Sequence, residues 1–238
     1  IILNFIMKRL ILFILIFTSV SFSQFLEFEP SNGENSINIS LQNYYFRYND
    51  DKNNILKNEE IHFSKLVPGI LYENNSLQVS LYYLNGKYHD NNTKLFSLDG
   101  NYKIVIPILT SEITNLGLPL LLKTSYIQVS QQNNNYKTNR IENGSFGLGT
   151  GIQFYKSFDW ISYKILYNFS IYYSTINFSI DYGYSLQNDL LLMLYFNNLF
   201  DDFGFSLGVK YSDQKWKISQ KKYNYYCSNY GLIFGIIF

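Results

Sequence analysis

The chain has 238 residues, a formal net charge of +1 and 16% charged residues, a balance that excludes the strongly basic composition of a nucleic-acid-binding protein. Aromatic residues make up 19% of the chain, with 23 Tyr and 20 Phe but only 2 Trp, which is unusual for a soluble domain. The single cysteine, Cys227, excludes an intramolecular disulfide, and we expect a free thiol in a strand or a loop.

The first residues predict an export signal. A short basic segment, Met7-Lys8-Arg9, precedes an apolar run from Leu10 to Val20. Ser21-Phe22-Ser23 then offers small residues to a signal peptidase, so we expect the mature protein to begin at Gln24. The apolar run is shorter than the roughly 20 residues that a spanning helix needs. A signal peptide in residues 1–23, with an upstream extension in 1–6, is therefore favoured over an anchor helix in 1–20.

Period-two alternation recurs along the rest of the chain and predicts β-strands. Large apolar residues alternate with small or polar ones in segments such as Leu77–Tyr83, Ile161–Ile171 and Phe203–Tyr211. The second face carries glycines and lysines, which suits a polar barrel interior with the apolar face turned to lipid. The sequence therefore predicts an all-β fold, a closed antiparallel transmembrane β-barrel in residues 37–238. A periplasmic segment in 24–36 would precede it.

Turn and loop signals divide this region into about twelve strands in an up-and-down meander, with ten as the alternative. An even number is expected when both termini are periplasmic. The weakest predicted strand is 215–223, because its lysines make it poorly apolar. Loops are predicted at 49–58, 89–93, 131–140 and 197–202, and tight turns at 74–75, 157–158 and 187–189. The predicted strands are 37–48, 59–73, 76–88, 94–108, 118–131, 141–156, 159–172, 175–186, 190–198, 203–212, 215–223 and 229–238.

The last ten residues have the clearest strand pattern. One face is a continuous row of large apolar side chains, formed by Tyr230, Leu232, Phe234, Ile236 and Phe238. Glycines occupy two of the four positions between them, at Gly231 and Gly235. We predict that this is the barrel-closing strand, which pairs with the strand at 37–48 and so removes both sheet edges.

Charged residues at interior phase are the candidate functional residues. The alternation places six of them in the lumen: Lys103, Lys123, Lys164, Lys210, Asp99 and Asp181. They would form either a hydrogen-bonded network that fills a narrow barrel, or an anion-preferring pore, because rings of lysine select anions. A barrel of ten or twelve strands lies between the filled and the open size classes, so strand number does not decide between the two.

Tyr and Phe cluster near predicted strand ends, for example at 44–48, 82–88 and 172–173. Amphipathic rings prefer the level of the lipid headgroups, so these clusters predict aromatic girdles. The alternative is a stacking platform for a sugar or another ligand at the outer mouth.

Catalytic motifs are sparse. His62-Phe63-Ser64 resembles the His-x-Ser of the outer-membrane phospholipase, in which a base activates a serine two residues away. The Asn-Gly that follows the serine in that family is replaced by Lys65-Leu66. Gly147 to Gly151 lacks the strand–turn–helix context of a nucleotide fingerprint, and no metal cluster is visible. We therefore expect no enzyme, no cofactor and no metal. A lipid-modifying enzyme using His62 and Ser64 is the alternative.

Over most of its mature length the chain resembles outer-membrane β-barrel families of Bacteroidota that have no assigned activity. Four features carry the resemblance: the Ser21-Phe22-Ser23-Gln24 junction, Pro68–Glu73, Gly147–Gly151 and the terminal Phe238. It implies an integral outer-membrane location, with membrane lipids, lipopolysaccharide and the outer-membrane assembly machinery as partners. The expected function is that of a structural or surface protein, or of a narrow pore for a small solute.

Overall fold

The computed structural model of the protein describes residues 35–50, 59–62, 66–74, 76–88, 91–132, 138–176, 182–200, 203–218 and 223–238. The predicted signal peptide and residues 24–34 lie outside them. Within the described residues, no α-helix is long and apolar enough to cross a membrane.

The described chain forms one antiparallel sheet of eleven strands, in which almost every strand pairs with its neighbours in sequence. β2 and β3 both pair with β1, so together they form a single interrupted strand of the barrel wall. The strands are β1 (Ser36–Asp50), β2 (Glu59–His62), β3 (Val67–Glu73), β4 (Leu77–Tyr88), β5 (Asn91–Thr110), β6 (Thr114–Gln132), β7 (Thr138–Ser157), β8 (Ile161–Ile176), β9 (Tyr182–Phe200), β10 (Phe203–Ile218) and β11 (Tyr223–Ile237).

The barrel closes between its first and last strands. β11 pairs with β1 along the whole of both strands, from Ser36 opposite Ile237 to Asp50 opposite Tyr223. On its other side β11 pairs with β10, from Gly204 opposite Ile237 to Ile218 opposite Tyr223. The predicted closed antiparallel meander is confirmed. The wall contains ten strands, so the ten-strand alternative is confirmed and the prediction of twelve is wrong.

The two extra predicted strands result from predicting one break within β9 and another within β10. Gln187-Asn188-Asp189 has the composition of a turn, but it lies in the middle of β9. Gln187 and Asp189 are buried on the inner face, where polar residues face the barrel interior. β10 likewise continues through Asp213 and Gln214 to Ile218. Polar residues at the centre of a strand were mistaken for a break because the interior of this barrel is itself polar.

The connections sort to two ends of the barrel. β1, β4, β6, β8 and β10 end at what we call the loop end, followed by 51–58, 89–90, 133–137, 177–181 and 219–222. β3, β5, β7 and β9 end at the opposite end, the turn end, followed by 74–76, 111–113, 158–160 and 201–202, and Asn35 and Phe238 also lie there, joined by a 3.0 Å backbone hydrogen bond. The loop predicted at 197–202 is wrong for its first four residues, because 197–200 belong to β9.

Burial alternates along most of the described strand residues, as a closed barrel requires. In β10 the exposed row is Phe203, Phe205, Leu207, Val209 and Tyr211. The buried row between them begins with Gly204, Ser206 and Gly208. The outer row of β10 is thus apolar to Tyr211, and its inner row is small or polar from Gly204 to Gln214.

Glycines on the inner face of β7 allow β8 to approach closely. A Cβ added at Gly151 would lie 1.8 Å from the carbonyl oxygen of Tyr167, and one at Gly147 would lie 2.0 Å from that of Ile171. Backbone cannot move aside without breaking the β7–β8 ladder. These glycines therefore permit close contact between β7 and β8.

We expect Gly151→Ala to lower the free energy of unfolding by about 1–3 kcal/mol, the usual cost of overpacking. Urea unfolding of the folded barrel in detergent measures it. Gly100→Ala is the control, because its Cβ would meet only the Thr124 hydroxyl at 3.1 Å. Equal stability of the two variants would contradict the close approach.

Candidate functional site in the barrel interior

The interior is filled by three layers of side chains. At the loop end lies an apolar layer, here called the loop-side layer, and at the turn end lies a second one, the turn-side layer. Between them lies a layer of polar and charged residues, the polar layer. The loop-side layer contains Tyr44, Phe46, Val67, Tyr82, Leu95, Ile127, Val129, Trp216, Ile218, Tyr225 and Cys227. The turn-side layer contains Leu71, Leu166, Leu191, Met193, Tyr195, Ile233 and Ile237.

Aromatic rings close the loop-side layer. The rings of Phe46 and Tyr225 stack with centroids 6.1 Å apart, and Trp216 packs against Phe46 at 6.4 Å. Tyr44 and Tyr82 meet edge to face at 5.8 Å. The gap that Phe46, Trp216 and Tyr225 line has no room for a water molecule.

This layer corrects the girdle prediction for half of its residues. Tyr44, Phe46, Tyr82, Tyr172 and Tyr225 are buried inside the barrel. Their chain neighbours face outward instead, among them Tyr83 and Tyr173, which are more than half exposed. Consecutive aromatic residues in a strand point to opposite faces, so a cluster in sequence cannot form a girdle as a whole.

The centre of the polar layer is an ion pair between Lys123 of β6 and Asp189 of β9. Only 2% of Lys123 is exposed. Asp189 also accepts a 2.8 Å hydrogen bond from the Gln187 amide, which contacts the Ser212 hydroxyl at 3.0 Å. The Tyr172 hydroxyl donates to the other end of Gln187. The network therefore ties together strands that lie on different sides of the barrel.

A second ion pair joins Lys164 of β8 to Glu73 of β3. Both residues are buried, with 8% and 4% exposed. Beside them the Lys103 ammonium donates a 3.1 Å hydrogen bond to the side-chain oxygen of Gln153. These contacts cross the barrel between β3, β5, β7 and β8, so they brace the wall toward the turn end.

The remaining interior charges are Lys210 and Asp99. The Lys210 ammonium lies 5.8 Å from the centroid of the Tyr82 ring, within cation–π range. Asp99 accepts from the hydroxyls of Ser97 and Ser80 at 3.4 and 3.5 Å. Both residues line the same two small cavities.

The structure places five of the six predicted lumen charges on the inner face: Lys103, Lys123, Lys164, Lys210 and Asp99. Asp181 lies outside the described residues. Sequence reasoning missed two acidic partners, Glu73 and Asp189, because both lie in or beside predicted tight turns. The phase of the alternation could have revealed Asp189, since the outer row Tyr182, Tyr184, Leu186, Leu190 continues past it with one interruption, at Asn188.

Two small cavities lie among the described interior residues. The two cavities in the polar layer each measure about 20 Å³, which is room for one water molecule. Among the interior positions that the structure describes, four lysines face three carboxylates, at Glu73, Asp99 and Asp189. The interior has the character of a polar core.

Other predicted chemistry finds no assembled site. In the described part of the chain, no three His, Cys, Asp or Glu residues lie together in a metal-binding arrangement. Cys227 is buried in the loop-side layer as a free thiol.

His62 is the last residue of β2, and its backbone pairs with that of Tyr45. Ser64 lies outside the described residues, as do His89 and Asp90. The register shifts by two residues between β2 and β3, whereas Pro68 and Gly69 pair in regular register with Leu41 and Ser40. Pro68 and Gly69 therefore do not interrupt the pairing of β3 with β1.

Fold and surface together define the protein as a closed β-barrel of the outer-membrane type. It is similar to the outer-membrane protease OmpT of Escherichia coli, with a TM-score of 0.52 and 7% identity over 91% of this chain and 99% of that one. The translocator domain of the autotransporter NalP from Neisseria meningitidis matches with a TM-score of 0.36 and 10% identity, over 84% and 88% of the two chains. The attachment invasion locus protein Ail of Yersinia pestis matches with a TM-score of 0.22 and 13% identity, over 87% and 99%.

No protein-family profile and no curated protein sequence matches the chain. At 7% identity the similarity to OmpT shows a shared fold, and it transfers no activity.

Proposed function

We propose that the protein is an integral barrel of the bacterial outer membrane, without an open pore and without enzymatic activity, that acts as a structural or surface protein. The observation that carries this proposal is the filled interior. Buried apolar residues lie on both sides of the Lys123–Asp189 ion pair, and a second buried ion pair, Lys164–Glu73, lies among those toward the turn end. A solute would have to displace both apolar layers in order to pass.

The outer surface supports the membrane location. Large apolar side chains are exposed around the whole wall, including Ile39 at 61%, Leu148 at 67% and Ile171 at 53%. Water would penalise such a surface, which is far larger than the apolar patches of soluble proteins. Lipid removes the penalty, and a closed barrel is one of the two structures that can pair their backbone groups within a membrane.

The orientation follows from the connections. Outer-membrane barrels have short periplasmic turns and longer extracellular loops. The connections at the turn end span two or three residues, whereas four of the five at the loop end span four to eight and 89–90 spans two. The loop end therefore faces the cell exterior, and its five connections are the surface that a structural or adhesive protein would present.

Planar-bilayer recording tests the closed interior. The folded protein is expected to give no stable conductance steps, because the packed rings of Phe46, Trp216 and Tyr225 leave no room for a water molecule between them. Steps whose anion preference falls in the Lys103→Glu or Lys164→Glu variant would replace the proposal with the narrow-pore interpretation.

A lipid hydrolysis assay on the folded protein tests the absence of catalysis. We expect no hydrolysis above that of the Ser64→Ala variant. Activity in the wild-type protein that the substitution abolishes would establish the enzyme alternative.

A further inference from the structure

The outward row of β10 changes character part-way along the strand. It is apolar from Phe203 to Tyr211 and then continues with Asp213, Lys215 and Lys217, of which the two lysines are exposed. The outward row of β8 stays aliphatic or aromatic from Ile161 to Tyr173. A charged residue that faces hydrocarbon is costly, so this side of the barrel meets a different environment near the loop end.

Strand length places that environment at the lipid headgroups. A tilted strand crosses the hydrocarbon in about 9–11 residues. Asp213 is the eleventh residue of β10, which begins at Phe203. Lys215 and Lys217 therefore lie beyond the hydrocarbon, at headgroup level in the leaflet next to the loop end.

Aromatic rings support both lysines. The Lys215 ammonium lies 5.8 Å from the centroid of the Tyr226 ring, and the Lys217 ammonium lies 5.9 Å from that of Tyr184. Register places Lys215, Tyr226 and Arg47 side by side on β10, β11 and β1. Neither lysine forms an ion pair with a carboxylate of a described residue. The rings hold two cations in place and leave both ammonium groups able to bind an anion.

Hydrogen-bonding groups continue this patch below the lysines. The Tyr167 hydroxyl donates to the side-chain oxygen of Asn188 at 3.1 Å. The Asn188 amide in turn reaches both carboxylate oxygens of Asp213, at 3.3 and 3.4 Å. Amide, carboxylate and phenol groups of this kind recognise sugar hydroxyls.

We propose that this outer patch, formed by Tyr167, Asn188, Asp213, Lys215, Lys217 and Tyr226, binds the phosphorylated headgroup of a glycolipid in the outer leaflet. The lysines bind phosphate, and Asn188 and Asp213 contact the sugar. The inference rests on the proposed function, because only insertion in that membrane brings the patch level with such headgroups. Charge complementarity favours this occupant: the patch is cationic where the headgroup carries its phosphates.

The test titrates the folded, full-length protein in detergent with diphosphorylated lipid A and with the same lipid after dephosphorylation, followed by native mass spectrometry. The double variant Lys215→Gln/Lys217→Gln is expected to bind the diphosphorylated lipid about tenfold more weakly or worse. The matched control is Lys156→Gln, whose ammonium lies 5.0 Å from the Phe158 ring at the turn end. It should bind within about twofold of the wild-type protein, since surface charges outside the patch are screened from it.

Three results would overturn the site: equal binding by the double variant, equal binding of the dephosphorylated lipid, or equally strong binding of inorganic phosphate alone. A wild-type dimer that the double variant loses would instead make the patch an interface between copies. Heat-modifiable gel mobility and membrane extraction of each protein come first. If the wild-type protein does not insert into membranes, the proposed function is wrong. If it inserts but does not bind the diphosphorylated lipid, only the proposed binding site is wrong.

Discussion

Lys123→Met is expected to lower the free energy of unfolding by about 3–5 kcal/mol, the usual cost of leaving a buried charge without its partner. The substitution removes the cation that neutralises Asp189, while Asp189 itself stays 9% exposed between the two apolar layers. Gln187 still donates to the carboxylate, but one amide does not replace an ammonium group. The buried Asp189 carboxylate without its cation therefore destabilises the folded barrel.

Urea unfolding of the refolded protein in detergent measures this effect, with gel mobility as a second readout. The double variant Lys123→Met/Asp189→Leu should recover most of the loss, because replacing both partners removes the stranded charge. Lys94→Met is the surface control, because Lys94 is exposed on the outer wall, and it should stay within about 0.5 kcal/mol of the wild-type protein. A loss below about 1 kcal/mol for Lys123→Met would mean that water reaches the pair, which is the property of an open lumen.

The same logic separates a structural charge from a conducting one. A pore needs charges that an ion can reach and leave again, so their substitution changes selectivity more than stability. The buried ion pairs of this barrel connect β6 to β9 and β3 to β8, and each spans the interior. Their substitution should therefore change stability first. Stability and conductance measured on one set of variants thus decide between core and channel.

Much of the fold could be predicted because alternation is local. A strand with one lipid-facing side repeats its pattern every two residues, and the phase alone assigns each side chain to a face. This phase placed Lys123 and Lys164 correctly inside. Turn chemistry misled at Gln187-Asn188-Asp189, because residues that favour turns also suit a polar interior. The apolar row on the other face of β9, interrupted at Asn188, was the stronger signal.

The partners of the interior charges were beyond sequence reasoning. Lys164 and Glu73 lie 91 positions apart, and Lys123 and Asp189 lie 66 apart. Which of them meet depends on the stagger of every strand between them, and the stagger depends on the number of strands. Counting twelve strands instead of ten gives a wider barrel with different neighbours across its interior. Two wrongly predicted strand breaks therefore prevent a correct prediction of which interior charges meet, even when every side chain is assigned to the correct face.

The lipid-facing wall gives the second large effect. Leu232 lies on the outer face of the closing strand β11, 48% exposed, between Leu41 of β1 and Val209 of β10. Leu232→Arg is expected to destabilise the inserted barrel by about 2–4 kcal/mol, the cost of a cation near the bilayer midplane. The folded fraction recovered from lipid vesicles, measured across a urea series, gives the value.

Ser228→Arg is the matched control, since Ser228 lies on the same strand, four residues nearer the loop end, where Asp213 is its neighbour on β10. Near the interface the same cation costs only about 0–1 kcal/mol. The contrast between the two variants separates lipid from water as the outer solvent. If water surrounded the barrel, Leu232→Arg at this exposed position would cost no stability and would improve solubility. Equal destabilisation by the two variants would therefore contradict the membrane location. A depth-dependent penalty has no source other than a hydrocarbon layer that begins below Ser228 and encloses Leu232.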